Sequence, residues 1–202
     1  MSTQLFDIVI RDGQVIGGLE TEPVSADVGV RGDRIEAVGD LSGHDAKRTI
    51  DANAQYVIPG FIDMHTHAER GLPYPELAAS GHHLTQGVTT VLCGADGYGA
   101  WPIHSDVETL SSKLTAQGIG TNAALMVGLG QVRRRVMGLD DRLPTGSEVE
   151  VMKERLRLAM EGGAVGISSG LVFAPDRYFD TEGIMDIARE VAPYGGIYHT
   201  HF

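Results

Sequence analysis

Two pairs of histidines stand one residue apart in this chain: His65 and His67 in "PGFIDMHTH", and His199 and His201 in "YGGIYHTH". Side chains two apart on a strand face the same way, so each pair can aim two imidazoles at one point. Both pairs close apolar runs, as residues at strand ends do. A third apolar run, "VTTVLC", is followed by "GADG", which brings Cys93 and Asp96 to the same level, and a fourth, "GAVGISSG", carries Ser168 and Ser169. In α/β folds chemistry sits at the carboxyl ends of strands. Four histidines and a carboxylate from three strand ends make up a site for zinc or a similar divalent cation.

Each of these residues also has a plainer reading. Cys93 lies inside an apolar strand and reads as a buried small hydrophobe. Asp96, flanked by glycines, reads as a turn residue, and Ser168 and Ser169 as helix-entry residues. His82, His83 and His104 read as surface residues. The run Arg133–Arg135 reads as a solvated face, in which one arginine can hold a substrate carboxylate.

The elements that must position these groups divide into two regions, 1–57 and 58–202. The first reads as all-β. "FDIVIRDGQVIGG" predicts a hairpin turning at Asp12-Gly13, "ADVGVRGDRIEAVGD" a second at Gly32-Asp33, and "KRTIDANAQYVIPGFIDMH" a third at Asn53. From Tyr56 strands alternate with helices: strands at 56–67, 88–93, 121–128, 163–170 and 196–202, and helices at 74–86, 105–117, from Ser147, and 181–194. Ser105 with Glu108, and Ser147 with Glu150, have capping-box spacing, and Val149, Met152, Leu156 and Ala159 keep one helix face. Apolar strands alternating with helices predict a parallel sheet covered by helices. Five strands fit an open doubly wound sheet by count, although the first carries no glycine-rich phosphate loop.

Composition narrows the function classes. The apolar fraction is 42% and the charged fraction 21%, as in ordinary globular proteins. A net charge of −11 argues against nucleic acid or an anionic membrane as partner. A single cysteine leaves no internal disulfide and suits a reducing, cytoplasmic setting. Asp7, Arg11 and Asp12 interrupt the apolar core that a signal peptide needs, and no run approaches the length of a membrane span.

At this point the motifs resemble the amidohydrolase superfamily. "ADVGVRGDRIEAVGD" and "TIDANAQYVIPGFIDMHTH" are similar to its amino-terminal signature, and "QGVTTVLCGADG", "VGLGQVRRRVMG", "GGAVGISSGLVFAPDRY" and "YGGIYHTH" follow the order seen in its N-acyl-D-amino-acid deacylase branch. The resemblance implies the first five strands of a metal-dependent (β/α)8 barrel, preceded by part of a small β-sandwich. It implies one or two divalent metal ions, zinc foremost, on His65, His67 and His201, with Asp96 standing where relatives place the cysteine of "GNCG". A carboxylate is a harder ligand than thiolate and loosens the preference for zinc. Cys93, three residues earlier, and His199, where relatives carry a small residue, are further candidate ligands. Ser169, Phe173 and Arg177 fall on the substrate-binding motif, with Phe173 in place of a tyrosine and Leu129 in place of a histidine.

What the resemblance implies as activity is amide hydrolysis of a small N-acyl amino acid. The general-base aspartate and a further histidine are expected outside this chain, which is then either a fragment or one subunit of a split enzyme whose barrel a second polypeptide completes, and inactive alone. Cyclic-amide hydrolases of the same superfamily use a carboxylated lysine after strand four, which "AVGISSG" lacks. A third alternative is a non-catalytic subunit of a split amidohydrolase.

Overall fold

The computed structural model describes residues 5–19, 22–99 and 106–202. Contacts divide the chain into two compact units, Met1–Pro59 and Gly60–Phe202. No helix among the described residues is long and apolar enough to cross a membrane.

The first unit is a mixed five-stranded sheet of β1 (Phe6–Val15), β2 (Val24–Arg31), β3 (Arg34–Gly39), β4 (Ala46–Asp51) and β5 (Tyr56–Val57). Their order is β3-β2-β1-β4, with β5 also on β1. Phe6, Val9 and Leu41 are its buried centre. The hairpin at Gly32-Asp33 forms, joining the paired residues Arg31 and Arg34. The one expected at Asp12-Gly13 does not, because β1 continues through a bulge between Ile10 and Gly13. Asp12 sits there at φ 58°, and its N–H donates to Asp27 Oδ1 at 2.9 Å. The third expected hairpin is absent too. Both β4 and β5 run parallel to β1, so residues 52–55 interrupt one line of pairing opposite the bulge.

The second unit alternates strands and helices: β6 (Phe61–Thr66), α1 (Gly81–Leu84), β7 (Val88–Cys93), α2 (Asp106–Gln117), β8 (Asn122–Gly128), α3 (Leu129–Met137), α4 (Gly146–Glu161), β9 (Gly166–Gly170), α5 (Thr181–Ala188) and β10 (Ile197–His201). The strands form one sheet in the order β10-β9-β8-β7-β6, every pair parallel. A doubly wound sheet reverses its order at a switch point. This one runs straight through the sequence and curls into half a barrel, as the resemblance implies.

Several elements differ locally from the sequence expectation. The run at 56–67 splits between the two units, since Pro59 has no N–H for a ladder. Only Gly81–Leu84 of the expected 74–86 helix is helical, after Pro73, Pro75 and a left-handed Ser80 at φ 50°. Ser105 lies outside the described residues, and with it the first expected capping box. The second forms two residues earlier than expected, between Thr145 and Glu148, where Arg142 clamps the Glu148 carboxylate at 2.6 and 2.8 Å. The last helix ends at Ala188 and tightens into a 3-10 turn, Arg189–Tyr194, that contains Pro193.

Packing centres on β7, β8 and β9, where Val91, Val127 and Ile167 meet Leu129, Met152 and Leu156 from the helices. Strand β9, next to the edge strand β10, is buried along its whole length. Phe61, Ile62 and Met64 on the edge strand β6 are each more than half exposed. Leu156 is fully buried. Leu156→Ala is therefore expected to cost about 2–5 kcal/mol of unfolding free energy, read as a lower urea midpoint.

Candidate metal centre

Strand alternation sets the site. Thr66 turns into the core and donates its hydroxyl to Leu92 O at 2.9 Å, which leaves His65 and His67 on the opposite face. In a flat sheet β6 and β10, four spacings apart, would be separated by about 19 Å. Here the His65 and His199 rings are 5.1 Å apart, and the curl of the sheet makes that possible.

Asp96 lies at the focus. Its Oδ2 is 3.3 Å from His65 Nε2 and 3.2 Å from His67 Nε2, and its Oδ1 is 3.1 Å from His201 Nδ1. Ligand atoms of His65, His67 and Asp96 all fall within 4.8 Å of one another. Two ligands of a tetrahedral zinc at 2.0–2.1 Å are about 3.4 Å apart, so this donor set fits such an ion. Burial pushes the Asp96 carboxyl upward, but His65 and the bonds from His201 and His67 outweigh it. The net shift is below the usual carboxylate value.

The loop bearing Asp96 is fixed from behind. Glu69 Oε2 accepts Gly94 N–H at 3.1 Å. The Ser168 hydroxyl donates to Gly94 O and accepts Gly97 N–H at 3.1 Å, which uses both of its roles. Gly94 adopts φ 86°, and a Cβ on it would lie 2.6 Å from Met126 O. Asp96 itself is left-handed at φ 60°, a conformation aspartate tolerates better than most residues.

The remaining sequence candidates fall at varied distances from this focus. His199 is half-buried against His65, and burial first, then His65, pushes its imidazole below the ordinary value. Cys93 is 1% exposed in the core, where burial first and Glu69 second raise its thiol to about 11. Phe173 meets His201 edge-on at 5.5 Å. The buried Ser169 shares its hydroxyl with Tyr198 at 2.7 Å and Thr200 at 2.8 Å. Arg177 is exposed, and its backbone N–H bonds Phe173 O. Leu129 is fully buried at the start of α3. His82 and His83 stack on α1, with Ser80 Oγ 2.9 Å from His83 Nδ1. His104 lies outside the described residues.

Three charged groups behave differently from their sequence reading or escaped it. Arg133 is not solvated: it is fully buried beneath Tyr178 and Phe179 and donates to Asp140 O and Arg142 O at 2.7 Å each. Arg134 and Arg135 are exposed. Asp176 escaped notice. It is buried against Gly97 and Gly130 and accepts Gly170 N–H at 2.8 Å. Burial raises its carboxyl to about 7, against the lowering effects of Gly170 and Arg133. Glu69 escaped notice as well, because it lies on the 3-10 turn Ala68–Arg70 beyond the strand, where alternation gives no signal.

No family model matches the chain. The chain is 36% identical to a D-aminoacylase of Alcaligenes xylosoxydans xylosoxydans over 218 residues, covering 98% of this chain and 45% of that protein. The crystal structure of a D-aminoacylase, described as defining a novel subset of amidohydrolases, superposes with a TM-score of 0.88 at 36% identity, over 97% of this chain and 45% of that one. An N-acyl-D-glutamate deacylase of Bordetella bronchiseptica, solved with zinc and a phosphonate inhibitor, gives a TM-score of 0.88 at 32% identity, over 98% and 45%. The chain thus spans less than half the length of the relatives it matches.

Asp176 gives a pH signature. Burial pushes its carboxyl up to about 7 in the folded protein, from an ordinary value of 3.8. The folded state therefore binds the extra proton between those values, and stability falls as pH rises from about 4 to about 7. Asp176→Asn keeps an acceptor for Gly170 N–H and removes the proton. Urea unfolding at several pH values should show the variant gaining on the wild type across that window and running level above it.

Proposed function

This chain belongs to the amidohydrolase superfamily as a homologue of the amino-terminal part of D-aminoacylases, and on that premise we propose that it serves in hydrolysing the amide of N-acyl-D-amino acids. One observation carries the reading. A single carboxylate, Asp96, is reached by imidazoles from both edges of a parallel sheet, at 3.1 to 3.3 Å. In the proposal His65, His67, Asp96 and His201 hold one or two divalent cations, zinc foremost. A cation so held supplies a Lewis acid that polarises an acyl carbonyl and makes water nucleophilic near neutral pH.

The chain's own residues then do positioning work. Asp96, anionic and fixed through its loop, spaces His65 and His67 on one oxygen and His201 on the other. His199 backs the exposed ring of His65. Phe173, edge-on to His201 and 6.2 Å from Tyr98, offers an apolar wall for the acyl or side-chain carbons of a substrate. The exposed Arg177 is the candidate for its carboxylate. Ser169 contributes from behind, by tying β9 to β10 through Tyr198 and Thr200.

Proton transfer from water to the leaving amine is assigned to no residue of this chain. It falls to a base outside these 202 residues, as a second polypeptide completing the barrel would supply. The setting proposed is the cytoplasm, where a lone buried thiol stays reduced. Strand β9, "GISSG", offers no lysine for carboxylation, which sets cyclic-amide hydrolysis behind deacylation.

Metal titration tests the reading. Protein stripped by a chelator is expected to take up one or two equivalents of zinc. Asp96→Ala should weaken that uptake by more than the roughly 10–100-fold typical of changes one shell further out. Release of free amino acid from N-acyl-D-amino acids, measured with the groups outside this chain supplied, should vanish on chelation and return with zinc. Absence of zinc uptake by the wild type would sink the proposal.

A further inference from the structure

His67 has a carboxylate beside each of its ring nitrogens. Nε2 faces Asp96 at 3.2 Å, and Nδ1, on the other side of the ring, lies 3.4 Å from Glu69 Oε1. That second contact is within ion-pair reach but is not aligned as a hydrogen bond. Nδ1 is buried and has no other partner among the described residues. Glu69 is itself buried, its side chain only 5% exposed. Its second oxygen accepts Gly94 N–H, and among the described residues the guanidinium paired with it is that of Arg70, at 4.0 Å and mostly exposed. A buried carboxylate without a buried cation is costly unless a nearby group gives it a proton to share. Here the Nδ1–H of His67 is the group at hand.

We propose that Glu69 is a positioning residue, accepting from His67 Nδ1–H so that the ring is held with Nε2 facing the Asp96 focus. The same carboxylate anchors Gly94, two residues before Asp96, so one side chain sets the spacing between a ligating imidazole and the carboxylate it must meet. Second partners of this kind fix the tautomer and orientation of a metal-bound histidine and raise its basicity. The inference rests on the metal reading given above. Neither Glu69 nor any residue between it and His67 stood among the sequence candidates. Its position follows from the 3-10 turn Ala68–Arg70, which folds the chain back beneath the His67 ring.

Heteronuclear NMR of the imidazole nitrogens in the metal-free wild-type protein is the first test. It should show His67 Nδ1 protonated. A bare Nδ1 with the proton on Nε2 would overturn the proposal whether or not metal binds. The second test is zinc affinity by competition with a chelator. Glu69→Ala and the near-isosteric Glu69→Gln should each weaken binding about 10- to 100-fold. In a His67→Ala background Glu69→Gln, which still offers an acceptor to Gly94 N–H, should cost nothing further, because its effect on the ring is gone. An equal loss in both backgrounds would make Glu69 merely structural and end the proposal. If the wild type takes up no zinc while Nδ1 is protonated, the metal reading fails and the Glu69–His67 coupling stands by itself.

Discussion

The second unit depends on the curl of its parallel sheet. Strands that follow one another in sequence and in space, each rotated from the last, bring β10 back towards β6. Without that curvature the His65 and His201 side chains would stand on opposite margins of the sheet. With it they reach the two oxygens of one carboxylate. The helices make the curvature affordable in physical terms by covering the outer face. Val91, Val127 and Ile167 find Leu129, Met152 and Leu156 there, so apolar burial holds the polar inner face in shape.

Precision at the focus comes from hydrogen bonds to backbone. The loop from Gly94 to Gly97 carries the left-handed Asp96, a conformation that must be imposed by its surroundings. Glu69 and Ser168 impose it through Gly94 and Gly97, and Asp176 closes the next layer through Gly170. Each of these polar side chains is buried, and each points at a main-chain N–H. A chain of net charge −11 thus keeps three acidic side chains, Glu69, Asp96 and Asp176, close behind or within one site. Imidazoles, amide dipoles and, for Asp176, a raised proton affinity offset their mutual repulsion.

The sequence made the strand ends and the histidine pairs legible because period-two alternation and apolar run length are local properties. Strands at Val88–Cys93 and Ile197–His201 fall almost where the runs place them. The errors concern long-range pairing. Asp12-Gly13 has hairpin chemistry, yet β2 pairs with β1 on both sides of it and β4, then β5, line the other edge, so the turn signal becomes a bulge. α3 escaped because Gly130 and three arginines mask its apolar spacing, Leu129, Val132 and Met137, and because it follows β8 with Gly128 as an uncapped start. Arg133 in that helix shows the same limit: the aromatic rings that cover it come from residues 178 and 179, more than forty positions away. Glu69 and Asp176 could be placed only once the loops they brace had been folded.

A carboxylate, Asp96, rather than a thiol stands at the focus, and that bears on how the site meets oxidants. The lone cysteine of the chain, Cys93, is 1% exposed and its thiol is raised to about 11, so peroxide and disulfide reagents find neither a thiolate nor a route to it. Imidazole and carboxylate have no comparable oxidation ladder. A focus built from imidazole and carboxylate puts no thiol within reach of redox chemistry.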